Sequence, residues 1–305
     1  MSAIAIENGK CVGVVATIPV KLKVNNDTIV ANQAVDIVVS PSHRQGRTFF
    51  KLERMARDLC EENGSPMTYA FTVTDTFVIA TRMLSFRCVE PVINMVKLID
   101  ITPHLQRVFK IQSFSRVLSW LGKIAYNRNS INKKSFGDEY NIVEINRFDE
   151  RFDDLWQEGA INHQVAVVRD SRYLNWRYKD TPVDYTVLGL ESKGNIDGFI
   201  VLKCCDEKDV KRGRIVDVFC RNKDRRLLDL LLLEGINYCC RLGVNVVSCW
   251  VKKGSFLNHE LKKRNFIERS TNHSLIIRSS SSKYPTGFLT EEAKWFFTMG
   301  DSDFF

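Results

Sequence analysis

Several signatures of common site chemistry are missing from this sequence. Its nine cysteines occur singly or as adjacent pairs without a CxxC, and its five histidines show no metal-ligand spacing. We therefore expect no metal site, and an odd number of unpatterned cysteines suits a reducing cytoplasm. No cysteine has an identifiable histidine partner, so the sequence does not indicate a cysteine nucleophile.

Targeting and membrane-spanning segments are missing as well. The first residues, MSAIAIENGK, contain no basic stretch followed by a long apolar run, so we expect no secretory signal peptide. The most apolar window, LLDLLLLEGINYCC, is interrupted by Asp229 and Glu234 and falls short of the roughly 18 apolar residues of a membrane helix. We expect a cytoplasmic protein without a membrane partner.

The formal charge of +8 and the pI near 9.0 require a polyanionic partner to be considered. Nucleic acid, an acidic membrane and a phosphorylated small molecule all meet that requirement. The sequence has no zinc-finger spacing, no RNP-like aromatic motif and no bZIP heptads. A nucleic-acid partner would rest on charge alone and is not favoured, and charge does not choose between the other two.

Two stretches of the chain repeat one order of elements. Each has a glycine turn between two strand-like runs, then a helix, a closing glycine, another strand and a short helix that ends at a phenylalanine before a final strand. The matched residues keep nearly constant offsets: Asp36 and Asp217 are 181 apart, Gly64 and Gly243 are 179, and Phe86 and Phe266 are 180. Such small drift predicts a duplicated domain.

The repeat predicts an α/β fold with a mixed, mostly antiparallel sheet in each copy. In each copy a strand, a crossover helix and a second strand form a right-handed βαβ unit. The first of these helices has one apolar stripe, whereas the second, at 227–242, is apolar almost all round and should be more deeply buried. The stripe consists of Phe49, Leu52, Ala56, Leu59 and Cys60.

The predicted domains are residues 1–95 and 139–305, joined by a linker at 96–138 that contains a helix. A further strand and two helices precede the second repeat, so by the repeat roughly 45 residues are missing before the first. A late start codon and a trimmed sequence are the preferred explanations, and a domain that does without those elements is the third. The apolar half of the linker could lie on a membrane, but packing between domains is the commoner outcome.

A possible anion site lies in the segment SPSHRQGRTFFKL, residues 40–52. A strand ending at Pro41 and a helix starting near Arg47 leave the first helical N–H groups without partners, and the helix dipole favours an anion there. Gly46 allows a ligand to approach the backbone, and Arg44 and Arg47 add positive charge. The segment is therefore typical of a pyrophosphate site.

This order of strand, P-x-x-R, glycine turn, helix and strand, with a short helix ending L-x-F, resembles the GNAT acyltransferase superfamily. The segments YLNWRY at 173–178 and KWFFTMGDSD at 294–303 are similar to tandem-GNAT bacterial proteins. The resemblance implies two GNAT-like domains, each with a splayed parallel strand pair and flanking helices, the first without its N-terminal strand and helices. It also implies acetyl-CoA as co-substrate and an amine of a small molecule or amino sugar as acceptor.

The resemblance also implies site residues. Those expected at the cofactor are Val38, Val39, Arg44, Gln45, Gly46, Arg47 and Thr48. Asp36 is the candidate general base, and Trp176 and Arg177 are candidate substrate contacts. The Trp, Arg and Tyr of YLNWRY also suit a helix end packed under the sheet against a buried acid. The turn departs from the family pattern, with Arg47 where a small residue is expected.

Two further departures keep other functions open. The tyrosine that serves as general acid in the family is replaced by Thr81, and Tyr69 is the nearest tyrosine. The turn of the second copy, CRNKDRRLL, has no glycine, and Asp224 is expected to cap its helix in place of a phosphate. The alternatives are an aminoacyl-tRNA-dependent transferase of the peptidoglycan-bridge type and a non-catalytic GNAT-like binding protein.

Overall fold

The computed structural model describes residues 1–44, 47–100, 139–207 and 210–304. The strands are β1 Ser2–Glu7, β2 Lys10–Val24, β3 Asp27–Val39, β4 Met67–Val73, β5 Arg87–Leu98, β6 Asn141–Glu144, β7 Val165–Val167, β8 Thr186–Ser192, β9 Asn195–Glu207, β10 Val210–Cys220, β11 Val246–Lys252 and β12 Ile267–Ser279. The helices are α1 Thr48–Glu62, α2 Thr74–Met83, α3 Glu150–Ala160, α4 Ser171–Tyr178, α5 Arg225–Arg241 and α6 Phe256–Lys263. This is an α/β fold, as expected.

The order of elements recurs along the chain. The series β1, β2, β3, α1, β4, α2, β5 is followed later by β8, β9, β10, α5, β11, α6, β12. A short 3-10 turn precedes the crossover helix in both series, at Pro41–His43 and at Arg221–Lys223. The strand and two helices expected before the second series are β6, α3 and α4, with the short β7 in addition.

Two compact units divide the chain, and neither is a continuous stretch. Unit 1 consists of Met1–Val92, His163–Val168 and Thr271–Phe296. In its sheet the strands follow the order β1, β2, β3, β4, β12, and β7 pairs with β2. The final strand β12 runs antiparallel to β4, with His273 opposite Val73. The contiguous domains 1–95 and 139–305 remain a prediction, and residues 101–138 of the predicted linker and its helix lie outside the described residues.

Unit 2 consists of Ile93–Asn162, Arg169–Ser270 and Phe297–Phe305. Its strands follow the order β5, β11, β10, β9, β8, β6. Helix α5 has ten buried residues, from Leu227 to Cys239, and packs in a large apolar core with β9, β10 and β11. The expectation that this helix is more deeply buried than α1 is confirmed.

Helix α1 of unit 1 buries a narrower stripe than its sequence predicts. Leu52, Ala56 and Cys60 are buried, whereas Leu59 remains 36% exposed. Glu53 is buried in addition, and its carboxylate accepts a hydrogen bond of 2.8 Å from Arg278 of β12. An ion pair therefore takes part of the face that the periodicity assigned to apolar side chains.

Among the described helices, none combines the length and the apolar character needed to cross a bilayer.

Candidate functional site

Strands β3 and β4 are paired only where the middle of β3 meets the start of β4. The parallel pairs are Asn32 with Thr68 and Gln33 with Tyr69, and beyond them the two described strands separate. A bulge in β3 accompanies the separation, since Thr17 of β2 faces Ala34 while Val15 faces Ile37. The outcome is a gap between two parallel strands, and the bulge in one wall changes which backbone groups face it.

The last residues of β3 turn alternate backbone groups toward this gap. The N–H of Ser40 donates to the carbonyl of Val12 in β2, at 2.9 Å. Because backbone groups alternate along a strand, we infer that the N–H of Val38 also points to β2, whereas that of Val39 points into the gap. The side chain of Val38 is 59% exposed and that of Val39 is buried.

The turn after β3 is ordered by its own side chains. The His43 ring lies between Ser42 Oγ, 2.9 Å from Nδ1, and Glu7 Oε2, 3.1 Å from Nε2. Arg44 Nε donates to the carbonyl of Val39 at 2.9 Å. Gln45 and Gly46, both expected at the cofactor, lie outside the described residues.

Helix α1 begins without a capping side chain among the described residues. Its N-cap is Arg47, which accepts no hydrogen bond from the first turn, and that turn contains no acidic residue. Both Arg44 and Arg47 are exposed. The first amides of α1, from Thr48 onward, therefore combine with two arginines in a positively polarised region.

Helix α5 begins in the opposite way. The carboxylate of its N-cap, Asp224, accepts hydrogen bonds from the N–H groups of Arg226 at 2.6 Å and Leu227 at 3.3 Å. The expectation that Asp224 caps this helix is confirmed. The two corresponding helix starts thus differ in charge, because a fixed carboxylate already occupies the amides of α5.

The polar residues considered for catalysis lie in different surroundings. Asp36 is exposed at the bulge of β3. Tyr69 is 1% exposed, and its hydroxyl donates to Gln33 Oε1 at 3.4 Å. Thr81 donates to the carbonyl of Phe77 within α2, at 2.8 Å. Asp75 lies in the first turn of α2 and does not cap it, because the N-cap is Val73 and no side chain makes a cap bond there.

The two candidate substrate residues lie on helix α4 in unit 2. Trp176 is 45% exposed and lies beside Tyr173, with 5.7 Å between ring centroids. The guanidinium of Arg177 donates to the carbonyls of Gly300 and Ser302, each at 3.0 Å, and to the hydroxyl of Tyr185 at 3.1 Å. Arg177 thus holds the C-terminal segment, while the next residue of YLNWRY, Tyr178, contacts the buried acid Asp217.

A buried ionic cluster that sequence reasoning missed lies in the same unit. Arg169 is 1% exposed and pairs with Asp217 at 3.0 Å and with Asp301 at 2.8 Å. Tyr178 donates to Asp217 at 3.0 Å, and burial together with the charge of Asp217 raises the pKa of Tyr178. Part of the signal was the joint occurrence of YLNWRY and KWFFTMGDSD, which supply Tyr178 and Asp301, whereas Arg169 and Asp217 lie in neither segment.

No group of three or more histidine, cysteine or acidic side chains in the described part of the chain is arranged to hold a metal ion.

Comparisons with known proteins agree with the α/β fold. Residues 2–77 match the family model of an acetyltransferase (GNAT) domain. No curated protein matches the sequence. A probable N-acyltransferase from Enterococcus faecalis has a similar structure, with a TM-score of 0.64 at 10% identity, covering 91% of this chain and 62% of that one.

Two further solved structures have the same fold. A GCN5-related N-acetyltransferase from Anabaena variabilis aligns with a TM-score of 0.64 at 12% identity, covering 91% of this chain and 62% of its own. The Saccharomyces cerevisiae N-myristoyltransferase with bound myristoyl-CoA aligns with a TM-score of 0.58 at 10% identity, covering 88% and 67%. The chain therefore has a GNAT-like fold and spans about three fifths of the length of the two bacterial proteins.

Proposed function

We propose that this chain, which has a GNAT domain in residues 2–77 and a GNAT-like fold, is an acyl-CoA-dependent N-acyltransferase. In this proposal it moves an acetyl group from acetyl-CoA to the amine of a small molecule or amino sugar. The observation that carries the proposal is the start of α1, where no described side chain caps the first amides and two arginines are exposed. That start is the next helix start after β3, the strand that borders the gap with β4, and a 3-10 turn lies between the two.

The cofactor would contact two places, the start of α1 and the gap between β3 and β4. Its pyrophosphate would accept hydrogen bonds from the first amides of α1, with charge supplied by Arg44 and Arg47 and further contacts from Gln45, Gly46 and Thr48. Its pantetheine arm would lie in the gap along β3, beside Val38 and Val39. A backbone N–H that faces the gap is a suitable donor to the thioester carbonyl.

For acyl transfer from a thioester to an amine, the protein must mainly position the two substrates and accept a proton. The attacking nitrogen must be neutral, the carbonyl oxygen must be polarised, and the thiolate that leaves must gain a proton. Asp36 is exposed on the same strand, where it could accept the proton of the amine through water. We keep Trp176 as a proposed stacking contact for the acceptor because its ring is accessible, and we withdraw Arg177, whose donors hold backbone carbonyls and Tyr185.

The cap of α5 supports the proposal that only one of the two series of elements binds the cofactor. Since Asp224 occupies the amides that would meet a phosphate, we assign the cofactor to the first series alone. The second series would be a degenerate copy in a tandem-GNAT arrangement.

Calorimetry with acetyl-CoA and with acetyl-pantetheine tests the proposal. Acetyl-pantetheine has the thioester and lacks the pyrophosphate, so we expect it to bind at least 30-fold more weakly, about 2 kcal/mol. Release of free thiol from acetyl-CoA in the presence of a panel of primary amines tests the transfer itself. Equal affinity for the two donors would contradict the phosphate site, and binding of tRNA with a steep salt dependence would favour an aminoacyl-tRNA donor instead.

A further inference from the structure

The point where β3 and β4 come together is lined by four buried polar residues. Asn32 is fully buried, Tyr69 is 1% exposed, and Gln33 and Thr68 are each 6% exposed. These residues form the two parallel pairs that close the gap, and we call them the polar vertex. The corresponding parallel pair of unit 2 ends at Ile215 and Cys249, both fully buried and both apolar. A polar vertex is therefore not a requirement of two parallel strands separating.

The polar vertex presents hydrogen-bonding atoms on both faces of the sheet. On one face Tyr69 donates to Gln33. On the other, Asn32 Nδ2 donates to Ser65 Oγ at 2.7 Å, whereas Asn32 Oδ1 is buried and accepts no hydrogen bond within the described chain. Residues paired across neighbouring strands share a face, which places Thr68 beside Asn32. A chain of carbon atoms that reached this point would meet polar atoms whichever face it followed.

We propose that the polar vertex restricts the donor to short acyl groups, so that the enzyme accepts acetyl and rejects medium and long chains. This inference rests on the proposed function. With the pyrophosphate at the start of α1, beyond the carboxyl end of β3, the cofactor arm enters the gap from its open end. The thioester then points toward the polar vertex, and every further carbon of the acyl chain extends into it.

Two physical effects act against a longer chain. Each methylene moved from water into an apolar pocket improves affinity about fourfold, but polar surroundings offer no such gain. The Tyr69 ring also fills the space, since it lies between Gln33 and Ile277 of the adjacent strands and is 1% exposed. A longer chain would have to move that ring and separate hydrogen-bonded groups in a buried position, which is costly.

Calorimetric titration with CoA, acetyl-CoA, butyryl-CoA and octanoyl-CoA tests this inference. For the unaltered protein we expect affinity to fall about tenfold from acetyl to butyryl and at least 100-fold from acetyl to octanoyl. The double variant Gln33→Leu/Tyr69→Ala should improve octanoyl-CoA relative to acetyl-CoA at least tenfold, with the affinity for CoA unchanged. Cys249→Ala, at the closing pair of unit 2, is the matched control and should leave the whole series unchanged.

A milder variant covers the case in which the double variant does not fold. Thr68→Val/Tyr69→Phe keeps the volumes and removes two hydroxyl groups, and it should improve butyryl-CoA relative to acetyl-CoA about threefold. The inference is overturned if octanoyl-CoA binds the unaltered protein as tightly as acetyl-CoA, or if neither variant changes the order of the series. Absence of binding to CoA and acetyl-CoA alike would instead overturn the proposed function, so the two failures are distinguishable.

Discussion

Replacing Arg47 by aspartate should increase the stability of α1 and decrease its affinity for a phosphate. The change gives α1 the N-cap that α5 already has in Asp224, whose carboxylate accepts from two first-turn amides. A good N-cap stabilises a protein by about 1 kcal/mol, which should raise the melting temperature by about 2 °C. The same carboxylate would occupy the amides proposed to hold the pyrophosphate.

The loss of affinity can be estimated from charge alone. The substitution changes the local charge by two units, and one charge pair at about 4 Å contributes roughly 1 kcal/mol in water-like surroundings. Since Arg47 is exposed, this water-like value applies, and the penalty against a doubly charged pyrophosphate is about 4 kcal/mol before screening by salt reduces it. We therefore expect Arg47→Asp to weaken acetyl-CoA binding at least 30-fold.

Calorimetry and a thermal melt without ligand measure the two effects separately. Arg57→Asp is the matched control, because it makes the same change of charge on the same helix, nine residues beyond Thr48. At 1.5 Å per residue that is roughly 13 Å away, beyond the Debye length at physiological salt. If Arg47→Asp melts higher and still binds acetyl-CoA like the unaltered protein, the amides of α1 do not hold the phosphates and the proposed site is wrong.

Three further substitutions have defined outcomes. Asp224→Ala removes the cap of α5 and should cost about 1 kcal/mol in urea unfolding without changing acetyl-CoA affinity; a loss of affinity would assign phosphate binding to the second series. Arg169→Met leaves Asp217 buried without its ion pair and should cost about 3 to 5 kcal/mol, part of which Asp217→Asn in the same chain should restore; an unfolding midpoint like that of the unaltered protein would refute this account of the cluster. Burial lowers the pKa of His273 from its usual 6.5, so the folded protein favours the neutral ring. The stability that the neutral ring contributes is complete above pH 6.5 and is lost as the pH falls through the lower folded pKa. His273→Gln should therefore lose less melting temperature between pH 7.5 and pH 5 than the unaltered protein does, and an equal loss would show that this ring is not responsible.

The repeated order of elements was predictable because it depends on local patterns. Strand alternation, helix periodicity and closing glycines are all visible within 10 to 15 residues. The choice of strand partner is not local, and nothing in the pattern of β12 distinguishes β4 as its neighbour. The sequence therefore predicted the elements and the α/β class, but not that Thr271–Phe296 would belong to unit 1.

For the candidate site, the sequence predicted the turn between β3 and α1 but not the backbone geometry of β3. The strand, the exposed arginines and the start of α1 follow from spacing, as does the cap at Asp224. The bulge in β3 could not be predicted, because one additional residue leaves no trace in composition and changes which amides face the gap. The buried pairing of Glu53 with Arg278 was also missed, since the partners are far apart in the chain.

Strand β12 of unit 1 lies in the second half of the chain, and this position has a consequence during translation. The edge of β4 that pairs with β12 stays uncovered until β12 has been made, because the partner of Val73 is His273, 200 residues later in the chain. At 5 to 20 residues per second the ribosome needs about 10 to 40 s for that interval. Throughout it, the newly made β4 presents free backbone groups to any other nascent chain nearby, which is the situation that chaperones guard against.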